Sequence, residues 1–441
     1  MTMLAPRPCV LRRAHAVSAL ALGLALALPA CSKSDAPTPP EKGAAANTGA
    51  PAIATDYGVD LANKVITLGA LNDESGPAAA LGKPYAVGKR ILAAQVNAGG
   101  SGILPEGWKI ELVERDHQYN PQKSVQAYNA IKDQVLFIAT SFGTPNTLPL
   151  RDMLARDHIV AFPASLSSAM AAHPNTPPIG PNYRVEAMRA MDFAVEQAGG
   201  ADAVKAAIVY QKDDYGQDGL EGWTAAAEAA GVTIVAQSTV APGQKDYTAV
   251  VTALKDAGAT HVLLTVLASA TGPILGSAAQ LGYQPTWLAN TPAWIDRFYD
   301  PSVIPPTVFK NFYFVSGLSY WNEDLPGMKD FLAAYEAYGK DLHPPDLYIL
   351  GSYVQGRVAL EAFRRALEAG DVTRPAYLEA LQSIADYDGG GLIQPISLTQ
   401  QPYATSVLTR VLAPDFEARS WTEAAPYAVP TAMSPPQTAA E

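Results

Sequence analysis

Between residues 65 and 288 the chain repeats one period: a short run of β-branched and apolar residues, then a stretch with apolar residues at helical spacing. A strand joined through a helix to the next strand returns parallel to it, and the helices cover the sheet faces. Val65–Leu71, Ile110–Val113, Leu136–Thr140 and Ile159–Pro163 read as the strands of one block. Ala206–Tyr210, Val232–Ala236, His261–Val266 and Thr286–Leu288 read as those of a second. Helices are expected near Val87–Val96, around Leu148–Arg156, and near Gly219–Ala230, Tyr247–Ala257 and Ile274–Leu281. Asn120 followed by Pro121 is a helix start, with the cap and first-turn residues such an end requires. After Pro301 the pattern changes. A strand at Phe312–Ser316 precedes helices near Met328–Tyr338, Leu347–Ala369 and Pro375–Ile384, and Leu392–Ser397 and Ser406–Val411 read as final strands. The fold class is α/β: two blocks, with a third section that completes both.

Residues 1–30 fall outside this period. Arg7, Arg12 and Arg13 precede an apolar run from Ala16 to Leu28, broken by Ser18 and Gly23. That run is shorter than the roughly 20 residues a membrane-spanning helix needs. A basic head, a short apolar middle and a small-residue exit make an export signal. Cys31 directly follows Leu28, Pro29 and Ala30, an order that resembles the lipobox of bacterial lipoproteins. The resemblance implies lipidation of Cys31 and a membrane anchor facing the periplasm or the cell exterior. The alternative is a secreted chain cut near Ala30 with a free thiol. Residues 31–63 are rich in Ala, Pro, Thr, Ser and Gly and are expected to form a flexible tether. Residues 414–441, with Pro426, Pro430, Pro435 and Pro436, are expected to be a loosely ordered tail. The second cysteine, Cys9, lies inside the signal, so no disulfide supports the fold. Removing residues 1–30 takes the net charge from −11 to −14, and an acidic chain without long basic runs argues against nucleic acid as a partner.

Four stretches carry a wider resemblance. The first is Ile66–Pro77, with Asp73, Ser75 and Gly76, then Gly82, Asn97, Gly99 and Gly100. The second is Glu114–Asp116 with Asn120 and Pro121. The third is Ser141–Thr147 followed by Val160–Ser165, and the fourth Asp213–Gly216 followed by Gly243–Tyr247. In order and spacing the chain resembles the type 1 periplasmic binding proteins, specifically the leucine/branched-chain amino acid receptors of ABC importers, over about residues 64–412. The resemblance implies two lobes, parallel sheets flanked by helices, three hinge crossovers and a ligand between the lobes. The first lobe is expected at 64–184 and 312–385, the second at 185–311 and 386–413. It places ligand contacts at Leu81, Phe142, Gly143, Thr144, Ala164, Ser165, Tyr215, Asn290 and Thr291. Independently, Ser141–Thr147 lie between a strand and a helix, where open α/β sheets gather ligands and N–H groups hold carboxylates. Ser141 and Thr144 as simple helix caps, and Tyr215 as a packed loop tyrosine, are the structural alternatives.

Two departures bear on the ligand. The family often has Thr two residues beyond Ala164, where this chain has Leu166. Amino acid receptors hold the ammonium with an acid near the end of a later strand, but Ala289–Trp294 contains none, and Asp296 falls past the site. An unpaired buried ammonium is costly. With Leu81, Phe142, Leu166 and Trp294 lining a roomier apolar cleft, a small carboxylate, amide or aromatic acid is expected in place of a plain aliphatic amino acid, unless Asn290 or an acid elsewhere substitutes.

Catalytic readings have less support. Asp116 and His117 follow a strand and read as an exposed loop pair. The six histidines lack zinc spacing. Gly389–Gly391 lacks the Gly-Lys-Ser/Thr ending of a phosphate loop and reads as a hinge. Tyr348, Tyr353 and Phe363 read as a core helix. No metal, cofactor or catalysis is expected. The reading is a monomeric receptor that delivers a small molecule to an ABC permease and ATPase complex. A sensor of the same fold, coupled to a signalling partner, is the alternative.

Overall fold

The computed structural model describes residues 53–433 apart from Ser101 and Ala404, so the export signal, Cys31 and most of the tether lie outside the described residues. The first sheet holds β1 (Val65–Asn72), β2 (Lys109–Asp116), β3 (Ile138–Phe142) and β4 (Ala161–Ala164). These run parallel in the order β2-β1-β3-β4. The second holds β5 (Lys205–Gln211), β6 (Thr233–Val240), β7 (His261–Thr265), β8 (Thr286–Ala289) and β9 (Phe312–Ser316), parallel in the order β6-β5-β7-β8-β9. Then β10 (Thr409–Asp415) and β11 (Ser420–Ala428) extend it as an antiparallel edge.

Both faces of each sheet are covered, and the strand alternation shows it. In β1, Ile66 and Leu68 join the core under α1 (Ala79–Asn97), whereas Leu71 packs with Tyr128 and Ile131 of α2 (Pro121–Ile131). In β5, Ala206 and Ile208 pack with α3 (Tyr183–Ala198) and α4 (Asp214–Ala230), while Ala207 and Val209 face α5 (Thr248–Asp256) and α6 (Ala268–Gln280). Strands buried on both faces are what parallel sheets require. Asn120 caps α2 as its sequence predicts, its Oδ1 accepting from the N–H groups of Gln122 and Lys123. The third section supplies α7 (Pro326–Tyr338), α8 (Leu347–Ala369) and α9 (Arg374–Leu381). α8 lies directly on α1. The two backbones meet at Gly88 and Gly356, where a Cβ would collide with the Ile349 carbonyl and the Leu92 side chain.

Four sequence expectations are corrected here. Phe312–Ser316 does not open the second part of the first lobe: as β9 it pairs with β8 and β10, so the chain leaves the second sheet only after Ser316. The stretch 414–441 is not loose throughout. Ser420–Ala428 pairs along β10, because Trp421 is buried against Trp294 and Phe314. The tether ends earlier than residue 63. Ala54–Thr55 pairs with Asp371–Val372, Val59–Asp60 with Val65–Ile66, and the Arg374 guanidinium lies 4.2 Å from the Tyr57 ring centre. Finally, Leu392–Ser397 makes only the isolated bridges Leu318–Ile393 and Tyr387–Ile396. Among the described residues no helix is long and apolar enough to cross a membrane.

Candidate functional site

The order β2-β1-β3-β4 creates a topological switch between β1 and β3, and crevices form at the strand carboxyl ends beside such a switch. A cleft opens there, with about 690 Å³ of atom-free space including its mouth, and residues that follow strands of both sheets line it.

The first-lobe wall follows from strand register. Phe142 of β3 stands opposite Ala164 of β4, and just past that pair Thr144, two residues on, meets Ser165, the next residue of its own chain segment. Their hydroxyls lie 2.7 Å apart. Gly143 makes the turn at φ +90°, where a Cβ would sit 2.7 Å from the Tyr119 ring and 2.8 Å from the Asn146 amide. Thr144 caps nothing with its side chain. Ser141 and Thr147 instead bond each other at 2.7 Å, outside the cleft lining. Leu81 comes from the first turn of α1. The loop before it is held by buried Asp73, whose carboxylate accepts from the N–H groups of Gly76 (2.6 Å) and Ala78 (2.9 Å). Burial raises the Asp73 pKa against those bonds.

The second-lobe wall is built around Tyr215 and Thr291. Asp213 caps α4 by accepting from the Gly216 N–H at 3.1 Å, which seats Tyr215 at the helix start. The Tyr215 hydroxyl donates to the Val266 carbonyl at 3.2 Å and its ring meets Tyr183 edge-on at 4.6 Å. Glu186, fully buried in α3, accepts from the Thr291 N–H (3.0 Å), the Asn290 amide (3.0 Å) and the Thr291 hydroxyl. Burial, the largest influence, pushes its pKa up to about 7 against those bonds.

The helix α8 closes the cleft with Leu347, Tyr348 and Gly351. The Tyr348 hydroxyl donates across the lobes to the carbonyls of Thr291 (2.7 Å) and Trp294 (3.0 Å). The Leu347 N–H donates to Asp296 at 2.9 Å, and the Asp296 N–H to Asp346 at 3.4 Å. Gln211 of β5 donates to the Tyr119 hydroxyl at 3.3 Å.

Of the nine candidate contacts, Leu81, Phe142, Gly143, Thr144, Ala164, Ser165, Tyr215 and Thr291 line this one cleft, with Leu166 beside them. Asn290 does not: it is fully buried behind Thr291, bonded to Glu186 and to the Thr265 hydroxyl. Trp294 does not either. It is enclosed by Phe298, Tyr299, Phe309 and Trp421 in the second-lobe core. His117 is buried and not an exposed loop residue; its Nδ1 accepts from the Tyr119 N–H at 3.1 Å, and burial lowers its pKa to about 4. Tyr85, Tyr119, Tyr183 and Tyr348 are lining residues that sequence reasoning missed. Their spacing is that of ordinary core aromatics. Glu186 did leave a signal: it is a carboxylate at helical spacing with Tyr183, Ala190 and Phe193 on a buried face.

The chain resembles an amino acid binding protein of Pseudomonas aeruginosa, 24% identical over 309 residues that cover 68% of this chain and 79% of the relative. Leu/Ile/Val-binding protein homolog 7 of Brucella abortus is 26% identical over 328 residues, 71% of this chain and 80% of the relative. Two solved structures share the fold. The fatty acid ABC transporter substrate-binding protein of Thermomonospora curvata superposes with a TM-score of 0.79 at 24% identity, over 86% of this chain and 96% of that one. A branched-chain amino acid ABC transporter protein of Thermus thermophilus with bound valine gives 0.74 at 19%, over 84% and 98%. The sequence profile of the periplasmic binding proteins matches residues 65–411. With its parallel two-sheet architecture and the cleft at its strand ends, the chain belongs to the periplasmic binding protein family.

Proposed function

We propose that this protein is an extracytoplasmic receptor, anchored through a lipid on Cys31, that captures a small and largely apolar molecule with a carboxylate or amide head and delivers it as a monomer to an ABC permease and its ATPase. One observation carries the ligand class: among the 20 residues lining the cleft there is no charged side chain. A buried ammonium needs a carboxylate or an equivalent set of acceptors. Glu186, the second-lobe carboxylate that touches the lining residue Thr291, has its oxygens committed to Asn290 and Thr291. A zwitterionic aliphatic amino acid is therefore poorly matched. A carboxylate or amide fits better. It would take a hydrogen bond from the Thr144–Ser165 hydroxyl pair at the carboxyl ends of β3 and β4, and its apolar body would lie among the tyrosine rings, Leu81 and Leu166.

The test is thermal unfolding and calorimetry of the exported chain with phenyl- and alkyl-carboxylates, their amides, and leucine. A ligand present at 100 times its dissociation constant stabilises by about 2.7 kcal/mol. Stabilisation by a carboxylate or amide, lost in Thr144→Ala, is expected. Micromolar binding of leucine refutes the ligand class, and flat responses to every compound refute the receptor reading.

A further inference from the structure

Counting protons at the cleft wall separates the two lobes. On the first lobe, Thr144 and Ser165 share one hydrogen bond at 2.7 Å, and Ser165 also accepts from the Ser167 N–H at 3.2 Å. Two hydroxyls joined by one bond spend one proton, so the other is left to donate. Tyr119 adds a second donor, since its oxygen accepts from Gln211 and its own proton is uncommitted. This wall offers protons.

At Thr291 the second-lobe wall is the reverse. Glu186 is fully buried with three donors converging on it. The orientation of Asn290 is fixed from both ends. Its amide N–H groups reach only acceptors, Glu186 and the Tyr183 carbonyl, while its oxygen accepts from Thr265. The Thr291 N–H and hydroxyl both donate to the same carboxylate. Above its raised pKa Glu186 is ionised and accepts only, so there the Thr291 proton is held away from the cleft and only its lone pairs remain to face a ligand.

We infer that Glu186 is a positioning residue that makes Thr291 an obligate acceptor, so that the ligand carries a neutral hydrogen-bond donor, a hydroxyl or amide N–H, toward the second lobe in addition to its acceptor head toward Thr144 and Ser165. The inference rests on the receptor reading above and narrows its ligand to a carboxylate or amide with a hydroxyl or amide donor at its far end. A ligand that presents an acceptor there would face Thr291 lone pair to lone pair. Sites built around a hydrogen bond reject analogues that cannot make it far more strongly than apolar pockets reject a missing methylene.

The experiment uses matched carboxylates whose far end is a hydroxyl, a methoxy group or hydrogen, on a phenylacetate and on a six-carbon alkyl scaffold, titrated calorimetrically into the intact exported protein. In at least one scaffold the hydroxyl compound is expected to bind about tenfold or more tighter than the methoxy compound, the effect of one buried hydrogen bond lost. Thr291→Val should bring that ratio to within about twofold. Glu186→Gln turns an N–H toward Thr291, frees the hydroxyl proton, and should shrink or reverse the preference while the head group still binds. Should Glu186→Gln fail to fold, Thr291→Val carries the test. A hydroxyl-to-methoxy ratio within about twofold in every scaffold that binds overturns the proton assignment and leaves the receptor reading intact. So does a ratio that is unchanged in the variants. If no carboxylate in either series binds, the ligand class falls, and this inference with it.

Discussion

Replacing Gly143 by alanine tests whether the turn at the end of β3 is what places Thr144 in the cleft. Two costs add. The φ of +90° is one that residues with a Cβ rarely adopt, and holding a side chain in such a region costs about 1–3 kcal/mol. The new Cβ would also lie 2.7 Å from the Tyr119 ring and 2.8 Å from the Asn146 amide, and overpacking of that kind costs about 1–3 kcal/mol. Alanine also restricts the unfolded chain, which returns about 0.4–1 kcal/mol. The expected net loss is about 1–6 kcal/mol, read from urea unfolding followed by circular dichroism. Gly99→Ala is the control. Its φ of +76° is also positive, but nothing lies within 4 Å of the Cβ position. Only the backbone term applies there, and after the unfolded-state gain it should lose about 1 kcal/mol or less. Equal losses for the two variants would refute the idea that Tyr119 and Asn146 press on this turn. Ligand affinity should fall in Gly143→Ala and hold in Gly99→Ala.

Two further outcomes are expected. Trp421→Ala should cost about 3–5 kcal/mol by the same urea assay, the range for truncating a large buried aromatic, because its ring packs 4.5 Å from Trp294 and stacks on Phe314; a loss below about 1 kcal/mol would mean that β11 does not seal the second-lobe core. Burial raises Asp296 above its ordinary 3.8, beside Asp346, which is raised by burial and by the Asp296 charge. The contribution of this pair to stability is therefore full below about pH 4 and lost as pH rises through its raised titration. Across that window the thermal midpoint of Asp296→Asn should fall less steeply than that of the wild type, and parallel slopes would show that this carboxyl is not buried between the lobes.

Legibility varied with the range of the interactions involved. The helix start at Asn120-Pro121 was readable because the cap is local: a side-chain oxygen meets N–H groups two and three residues on. Most strands of both sheets were readable too, since a strand buried on both faces must be continuously apolar. The place of β9 was not, because nothing in Phe312–Ser316 says which sheet it joins; pairing with β8 decides it. Trp294 misled for the same reason. An indole beside a candidate ligand loop can face the cleft or the core, and the rings of Phe298, Tyr299 and Trp421 settle it.

By itself the sequence determined the alternation of strands and helices and the positions of the loops at strand ends. These follow from periodicity, capping and spacing, which act over a few residues, whereas the eight residues that meet in one cleft came through the resemblance to the periplasmic binding proteins. Only the tertiary structure decided what the cleft can recognise. Tyr85, Tyr119, Tyr183 and Tyr348 converge from four separated segments. Glu186 reaches Thr291 across 105 residues of chain. The charge of the site depends on which buried groups are already paired, and that pairing exists only once both sheets have folded against each other.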